Sequence, residues 1–326
     1  MPDDGFDGSS LVVTGGAGFI GSHLTEELVR RGARVTVIDS FVNGRQENLA
    51  AVADQIQLVD VDLRDPSLRA LLEVLEPQVV FHLAGYTSVP DSVRDARADF
   101  EQNAAATFAL LEAVRALATR PRIVFASSAA VYGEGSGAPL REEDPTVPLA
   151  PYGVSKLAAE RYMDVYARVY GLRTASLRLF HVYGPRLRRH VIWDLMSKVH
   201  ENPRALTLQG DGTQVRDFMY VVNTLRALTL VAERAPMHGE VYNASDEDPI
   251  SIEELAGHIC RRMGVAPRFS YSGAVRLGVS QRWVADATRL KALGFESRVP
   301  FSEGLDETVG WFLREGSRLT GTGSRR

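Results

Sequence analysis

Through the first 180 residues, short runs of β-branched and aliphatic residues alternate with stretches whose apolar positions recur every three or four residues. The runs "SLVVTG", "ARVTVID", "IQLVDVD", "QVVFHLAG", "PRIVFASS" and "LRTASLRLF" predict strands. Between them, "GFIGSHLTEELVRRG", "PSLRALLEVLE" and "DARADFEQNAAATFALLEAVRALA" predict helices. Strands that are apolar almost throughout, each followed by a helix, indicate a parallel sheet covered on both faces. The expected organisation is therefore an α/β sheet domain over residues 1–180, followed by a smaller α/β domain over 181–326 where the alternation breaks into loops and short elements. One strand–helix stretch in the second half, "RDFMYVVNTLRALTLVAE", is expected to return to the first domain, over about residues 216–245.

Composition narrows the function classes. A chain of 326 residues with 45% hydrophobic and 24% charged residues is ordinary globular material, and a net charge of −4 gives no general reason to bind nucleic acid or an anionic membrane. One basic run, "RLRRH" at 186–190, stands out as a solvated loop or an anion site. The start, "MPDDGFDGSS", lacks the basic residues and apolar core of a signal peptide, and no apolar run reaches the length of a membrane span. The single cysteine, Cys260, excludes an intramolecular disulfide and suits a reducing, cytoplasmic setting. It falls in the helical pattern "SIEELAGHICRRMG", where a buried small side chain is the expected reading.

The chemistry begins at "LVVTGGAGFIGSHL". Gly15, Gly18 and Gly21 follow a predicted strand and open a predicted helix, the context in which a tight turn and a helix N-terminus face a pyrophosphate. The fold class is accordingly a Rossmann-like doubly wound sheet. Asp39, 18 residues after Gly21 at the end of the second strand, is placed to accept hydrogen bonds from the adenosine ribose. A carboxylate there repels a 2′-phosphate, so the expected cofactor is NAD. Asp62 ends the third strand as a partner for the adenine amino group, and Ala84 and Gly85 let the backbone after the fourth strand approach the cofactor.

A second constellation lies in "IVFASSAAVYGE" and "PYGVSKLAAE". Ser127 and Ser128 end the fifth strand, and Tyr152 opens the next helix 24 residues after Ser128 with Lys156 on the same helical face. A phenol is a poor base at neutral pH. A neighbouring ammonium, aided by the positive nicotinamide, is expected to draw its pKa down, while Ser128 hydrogen-bonds the substrate oxygen.

Taken with "DSFVNGRQENL", "LRLFHVYGPR", "GDGTQVRDFMYV" and "WVADATRLKALGF", these motifs resemble the extended short-chain dehydrogenase/reductase family, specifically its nucleotide-sugar epimerases and dehydratases. The resemblance covers nearly the whole chain. It implies Tyr152 as the base, Lys156 as its ribose-binding partner and Ser128 as the hydroxyl assistant. It adds Phe19, Ile20, Asn43, Gly44, Leu63, Leu83 and Asn103 to the cofactor contacts, and Ser88, His181, Leu206, Arg216 and Arg276 to the substrate contacts. The two arginines resemble those that grip the nucleotide diphosphate, for which a planar guanidinium is suited. In "LRLFHVYGPR" His181 stands where the family has asparagine, and in "RLGVSQRW" Val279 stands where many relatives have aspartate. The backbone of "ALTL", around Leu206, is a candidate to read a uracil or thymine edge, with guanine and cytosine left open.

Reactions on this scaffold begin with oxidation at sugar C4 by hydride transfer to NAD. The dehydratases resemble one another in an Asp–Glu pair just before "VYG", and the decarboxylases in a glutamate there. This chain has Ala129 and Ala130, neither of which can move a proton. The expectation is a nucleotide-sugar 4-epimerase, with a UDP-sugar favoured. The competing readings are a dehydratase, decarboxylase or reductase using other acids such as Glu134 and Glu142, and a non-catalytic NAD-binding regulator or nucleic-acid binder. No metal is expected. The helices "DARADFEQNAAATFALLEAVRALA" and "GVSKLAAERYMDVYARVYG" carry apolar positions beyond one face, which predicts a homodimer through an intersubunit four-helix bundle.

Overall fold

The computed structural model describes residues 5–135, 137–273 and 280–319. All six strands expected in the first half are present: β1 (Ser10–Thr14), β2 (Arg34–Asp39), β3 (Ile56–Asp60), β4 (Val79–His82), β5 (Arg122–Ser128) and β6 (Arg173–Leu179). Seven further strands follow, β7 (His181–Tyr183), β8 (Ala205–Leu208), β9 (Val215–Tyr220), β10 (His238–Ala244), β11 (Pro249–Ser251), β12 (Arg268–Tyr271) and β13 (Arg282–Trp283). The helices are α1 (Phe19–Arg30), α2 (Leu68–Leu75), α3 (Val89–Arg94), α4 (Ala96–Phe100), α5 (Ala106–Arg115), α6 (Pro151–Tyr170), α7 (His190–Glu201), α8 (Val221–Arg234), α9 (Ile252–Arg262), α10 (Thr288–Ala292) and α11 (Phe301–Leu319).

The large sheet is parallel throughout and runs β10-β6-β5-β4-β1-β2-β3. Alternate residues of each strand enter separate cores, as a sheet buried on both faces requires. Leu11, Val13, Val124 and Ala126 join the core that includes α1 and α8, whereas Val12, Ile123 and Phe125 join the one under α2, α5 and α6. The chain leaves β1 toward β2 on one side and crosses to β4 on the other. That reversal opens a crevice beyond the carboxyl ends of the strands, where open α/β sheets bind ligands.

The return to the large sheet is made by α8 and β10. The preceding strand β9 pairs instead with β7, β11 and β13 in a separate small sheet, so Arg216 is held outside the large sheet. A third pairing, β8 with β12, completes the smaller region. His181, Arg216, Phe218 and Trp283 of the first small sheet, and Gln209 and Gly210 just past β8, line the same crevice as the glycine turn before α1.

Candidate functional site

A single pocket follows the crevice from the end of β2 to β9. At its first end, β1 turns at Gly15 with φ +71°, and a Cβ there would lie 2.7 Å from the Ala84 nitrogen. A Cβ on Gly21 would lie 2.2 Å from the Gly15 carbonyl, so only glycine allows α1 to pack this closely on the turn. At Gly18 a Cβ would meet only the Gly15 oxygen, at 3.1 Å, and the remaining space is open to the pocket. Gly18, Phe19 and Ile20 line that space, and α1 has no side-chain cap, which leaves its first N–H groups available to an anion.

Asp39 is buried. Its two carboxylate oxygens accept from the Ala17 and Phe41 backbone N–H groups at 2.9 and 2.8 Å, while burial pushes its pKa up. A Cβ on Gly44 would lie 2.7 Å from the same carboxylate, so Asn43 and Gly44 wrap directly over it at the pocket wall. Leu63, Leu83, Ala84 and Gly85 also line the pocket. Asp62 reaches the rim, but both its oxygens accept from Arg64, which holds its pKa down. The suggested adenine contact therefore competes with an ion pair that the sequence did not reveal.

At the opposite end of the crevice the structure brings together Ser128, Tyr152, Lys156 and Asn103. The two serines of β5 divide their tasks. Ser127 donates to Glu160 at 2.5 Å, within a buried Glu160–Arg178 pair at 2.8 Å, and so ties β5 to α6. Ser128 caps the short turn Ala129–Val131 through the Ala130 N–H at 3.2 Å and lies beside Tyr152, whose pKa it lowers. Lys156 is buried, donates to the Ala126 carbonyl at 3.0 Å and lies over the Phe125 ring. Burial draws its pKa down to about 8.

Tyr152 is buried as well. Burial raises its pKa to about 12, with Asp99 adding to the rise and Ser128 and Arg189 opposing it. The Lys156 charge is faced by Asp99 and Glu160.

Asp99 was not singled out from the sequence. It is fully buried, accepts from Asn103 Nδ2 at 3.0 Å and from Ser155 Oγ at 2.7 Å, and so fixes which way the Asn103 amide points. The helix predicted over this stretch is interrupted between α4 and α5 by one π-helical turn, Glu101–Ala105, which carries Asn103. Such turns re-aim side chains at functional sites. The Asn103 Oδ1 atom is left buried and without a partner, and a Cβ on Gly85 would stand 2.4 Å from it. An unpaired acceptor beside the lysine is a feature that a bound cofactor can satisfy. The spacing of Asp99 and Asn103, four residues apart on one helical face, was the signal available in the sequence.

The expected substrate residues fare unevenly. His181 and Arg216 line the pocket; Ser88 and Leu206 do not. Ser88 is the N-cap of α3 and accepts from the Asp91 N–H at 3.2 Å, and Leu206 is buried in the core on the inner face of β8. The nearest pocket residues are their neighbours Thr87 and Val89, and Gln209 and Gly210 just past β8. Arg276 and Val279 lie outside the described residues. Arg216 makes no pair with Asp217. Its guanidinium donates to the carbonyls of Val215, Gln281 and Ser280 and stacks over Trp283, and burial lowers its pKa to about 10. His181 sits between the Phe218 and Trp283 rings with Nδ1 buried and unpartnered. Burial and the charge of Arg216 hold its pKa well below the usual imidazole value, so it is neutral.

The family model described as the NAD dependent epimerase/dehydratase family matches residues 11–245, most of the chain. The protein belongs to this family. A UDP-glucose 4-epimerase of Mycolicibacterium smegmatis is 34% identical over 307 residues, spanning 92% of this chain and 97% of that one. A UDP-N-acetyl-alpha-D-glucosaminuronate decarboxylase of Bacillus cytotoxicus is 31% identical over 316 residues, with the same coverage of 92% and 97%. The solved structure of Thermus thermophilus UDP-glucose 4-epimerase in complex with NAD superposes with a TM-score of 0.83 at 34% identity, covering 93% of this chain and 98% of that one.

As an NAD-dependent epimerase/dehydratase, the protein has residues that fit the dinucleotide along the whole crevice: an open turn at Gly18 for the pyrophosphate, Asp39 for a ribose and the Asn103–Lys156 corner for the nicotinamide end. NAD supplies the hydride acceptor and donor when bound. The chain's own groups handle the proton. Tyr152 can take it from a substrate hydroxyl, and Ser128 can hold that oxygen. Ala129 and Ala130, which form the adjoining wall, offer no polar atom beyond the backbone.

Proposed function

We propose that the protein interconverts C4 epimers of a nucleotide sugar, a UDP-sugar being favoured, through a transient 4-keto intermediate with NAD retained between cycles. The observation that carries this reading is the wall beside Tyr152. Ala129 and Ala130 are buried there, and among the described pocket-lining residues the only acids, Asp39 and Asp62, lie at the adenosine end. Dehydration needs an acid for the departing hydroxyl and a base for the C5 proton, and neither is supplied beside Tyr152.

The other carboxylates considered for a second step are occupied elsewhere. Glu134 accepts from the Gln281 N–H at 3.0 Å, and Glu142 accepts from the Asn243 N–H at 2.7 Å; neither lines the pocket. Asp99 is committed to Asn103 and Ser155. With its acids removed from the reacting end, the simplest outcome is return of the hydride to the opposite face of a rotated 4-keto sugar. The test is to incubate the NAD-loaded protein with a panel of nucleotide sugars and follow products by NMR. A mixture of C4 epimers is expected. Stoichiometric 4-keto-6-deoxy or pentose product would overturn the reading.

The same proposal includes a homodimer in a reducing, cytoplasmic compartment. It is supported by an apolar surface on the paired helices, where Phe100, Phe108, Val154, Tyr162, Val165 and Val169 are exposed, and by the buried free thiol of Cys260. No helix among the described residues is long and apolar enough to cross a membrane. Light scattering is expected to report a dimer, and a monomer at micromolar concentration would refute that part.

A further inference from the structure

One carboxylate beside α6 is bonded, among the described residues, by neutral groups alone. Asp99 is fully buried near the end of α4, and both its oxygens accept: Oδ1 from Asn103 Nδ2 at 3.0 Å and Oδ2 from Ser155 Oγ at 2.7 Å. Glu160, the other acid that acts on Lys156, is paired with Arg178 at 2.8 Å. Asp99 forms no ion pair with a described residue, and the cation that acts on it is Lys156.

The two donors reach into different parts of the site. Ser155 directly precedes Lys156, so its bond ties α6 to α4 next to the reacting pair. Asn103 rides on the π-helical turn. An ionised carboxylate only accepts, so the Asn103 amide must turn its nitrogen to Asp99 and its oxygen away. That oxygen is the buried atom left without a partner. A Cβ on Gly85 would lie 2.4 Å from it and 3.4 Å from Lys156 Nζ, so the two atoms flank one space at the pocket wall. With an apolar side chain at position 99 nothing would hold this orientation, and the flipped amide would bring a donor toward the ammonium.

The other charged groups on the surrounding elements are answered elsewhere. On α3, Asp91 pairs with Arg94 at the surface. Asp95 caps α4 through the Ala98 N–H at 2.9 Å, and Glu101 on the turn pairs with Arg97 at 2.9 Å and Arg64 at 3.2 Å. His82 stacks on the Phe125 ring over which Lys156 lies, and it is neutral, with burial drawing its pKa down to about 3. Arg189 acts on Tyr152 and stays cationic at every working pH. Asp99 thus acts on both members of the pair, pushing up the pKa of Tyr152 and of Lys156.

We propose that Asp99 is a positioning residue for the reaction: it holds the Asn103 oxygen toward Lys156 as an acceptor for the dinucleotide, and its charge moves the working range of the Tyr152–Lys156 pair to higher pH. The proposal rests on that pair as the reacting groups. Its two parts separate on substitution. In Asp99→Asn the new amide oxygen still accepts from Asn103 while its NH2 donates to Ser155 Oγ, which accepts as well as donates. Shape and orientation stay, and the charge goes. In Asp99→Ala both go.

The test measures the Kd of NAD and, on the NAD-loaded protein, the pH profile of kcat/KM for the nucleotide sugar that the NMR panel identifies. Asp99→Ala should raise the Kd of NAD about 10-fold, the value of one hydrogen bond lost, whereas Asp99→Asn should keep it within about twofold of wild type. In Asp99→Asn both apparent pKa values of the profile, which belong to the coupled pair, should move to lower pH by about one unit. Ser155→Ala removes one tether but keeps the charge, and its profile should stay in place. Thermal midpoints check that the variants are folded. Lower activity in Asp99→Asn with an unmoved profile is what a merely structural role would give, and it overturns the proposal. An unchanged Kd of NAD in Asp99→Ala does so as well. An equal shift in Ser155→Ala also overturns it, by tracing the effect to displacement of α6. Full turnover in Tyr152→Phe overturns the reading of the pair and the proposal with it. If no sugar is turned over, the epimerase reading falls, and the NAD affinities still decide the proposal.

Discussion

Replacing Gly153 by alanine adds one methyl group between Tyr152 and the turn that carries Ser128. Gly153 is the third residue of α6, and a Cβ there would lie 2.5 Å from the Ala130 carbonyl oxygen and 2.9 Å from the Pro148 Cβ. Ordinary contact begins at 3.4 Å, so α6 and the Ala129–Val131 turn must separate by about 0.9 Å along this line. The obstacle is backbone, which cannot rotate aside as a side-chain end can. Two opposing terms act on stability. Alanine in a helix gains up to about 1 kcal/mol over glycine, and overpacking costs about 1–3 kcal/mol. The variant should therefore fold, with stability lowered by about 2 kcal/mol at most. Catalysis should suffer far more, because the displacement separates the phenol and hydroxyl that must hold one substrate oxygen. A misplacement of about 1 Å costs roughly 100-fold in rate. The assay is the turnover of the NAD-loaded variant on the substrate identified above, with its thermal midpoint measured alongside. A raised midpoint with turnover within threefold of wild type would refute the claim that the close approach of α6 sets the site geometry.

Three further outcomes are expected. Tyr152→Phe should lower turnover by about 10²- to 10⁴-fold, the usual value of a general base, with NAD and nucleotide sugar still bound; a loss under threefold would place the base elsewhere. Asp39→Ala should weaken NAD and relax discrimination against NADP in parallel titrations, because a buried carboxylate at this turn would accept from a ribose and repel a 2′-phosphate. His82 is fully buried between Thr14 and Thr107, and burial lowers its pKa to about 3. The unfolded chain binds the proton first on acidification, so stability falls as pH drops through the window between about 6.5 and 3. Between pH 7 and 5 this group accounts for a loss of about 2 kcal/mol. In urea titrations at those two pH values, His82→Phe should be less stable at both and should shrink the difference between them by that amount; an unchanged difference would contradict the assignment.

Much of this protein is determined locally. The alternation of apolar strands with amphipathic helices specifies a parallel sheet because each pattern can bury its apolar face in only one way, and all six strands expected before Phe180 occur. The glycine turn, Asp39 and the Tyr152–Lys156 spacing were legible for the same reason, since each is held by its own strand or helix within a few residues. What the sequence could not decide were contacts between groups distant along the chain. Ser127 and Ser128 are adjacent and chemically alike, and only the position of α6 gives one to Glu160 and the other to Tyr152. Asp99 comes to face Lys156 from a different element, a meeting that their places along the chain do not announce. Ser88 and Leu206 carried family positions but face a helix cap and a core, because their local backbone turns them from the pocket. In "RLRRH" three identical side chains are told apart solely by what the fold brings near them: Glu26 from α1, Glu315 from α11, and for Arg189 the pocket wall, with Asp91 acting on it without a close ion pair. Backbone pattern is a local property of the chain, whereas the charge and solvation of a side chain belong to the neighbours that folding assembles around it.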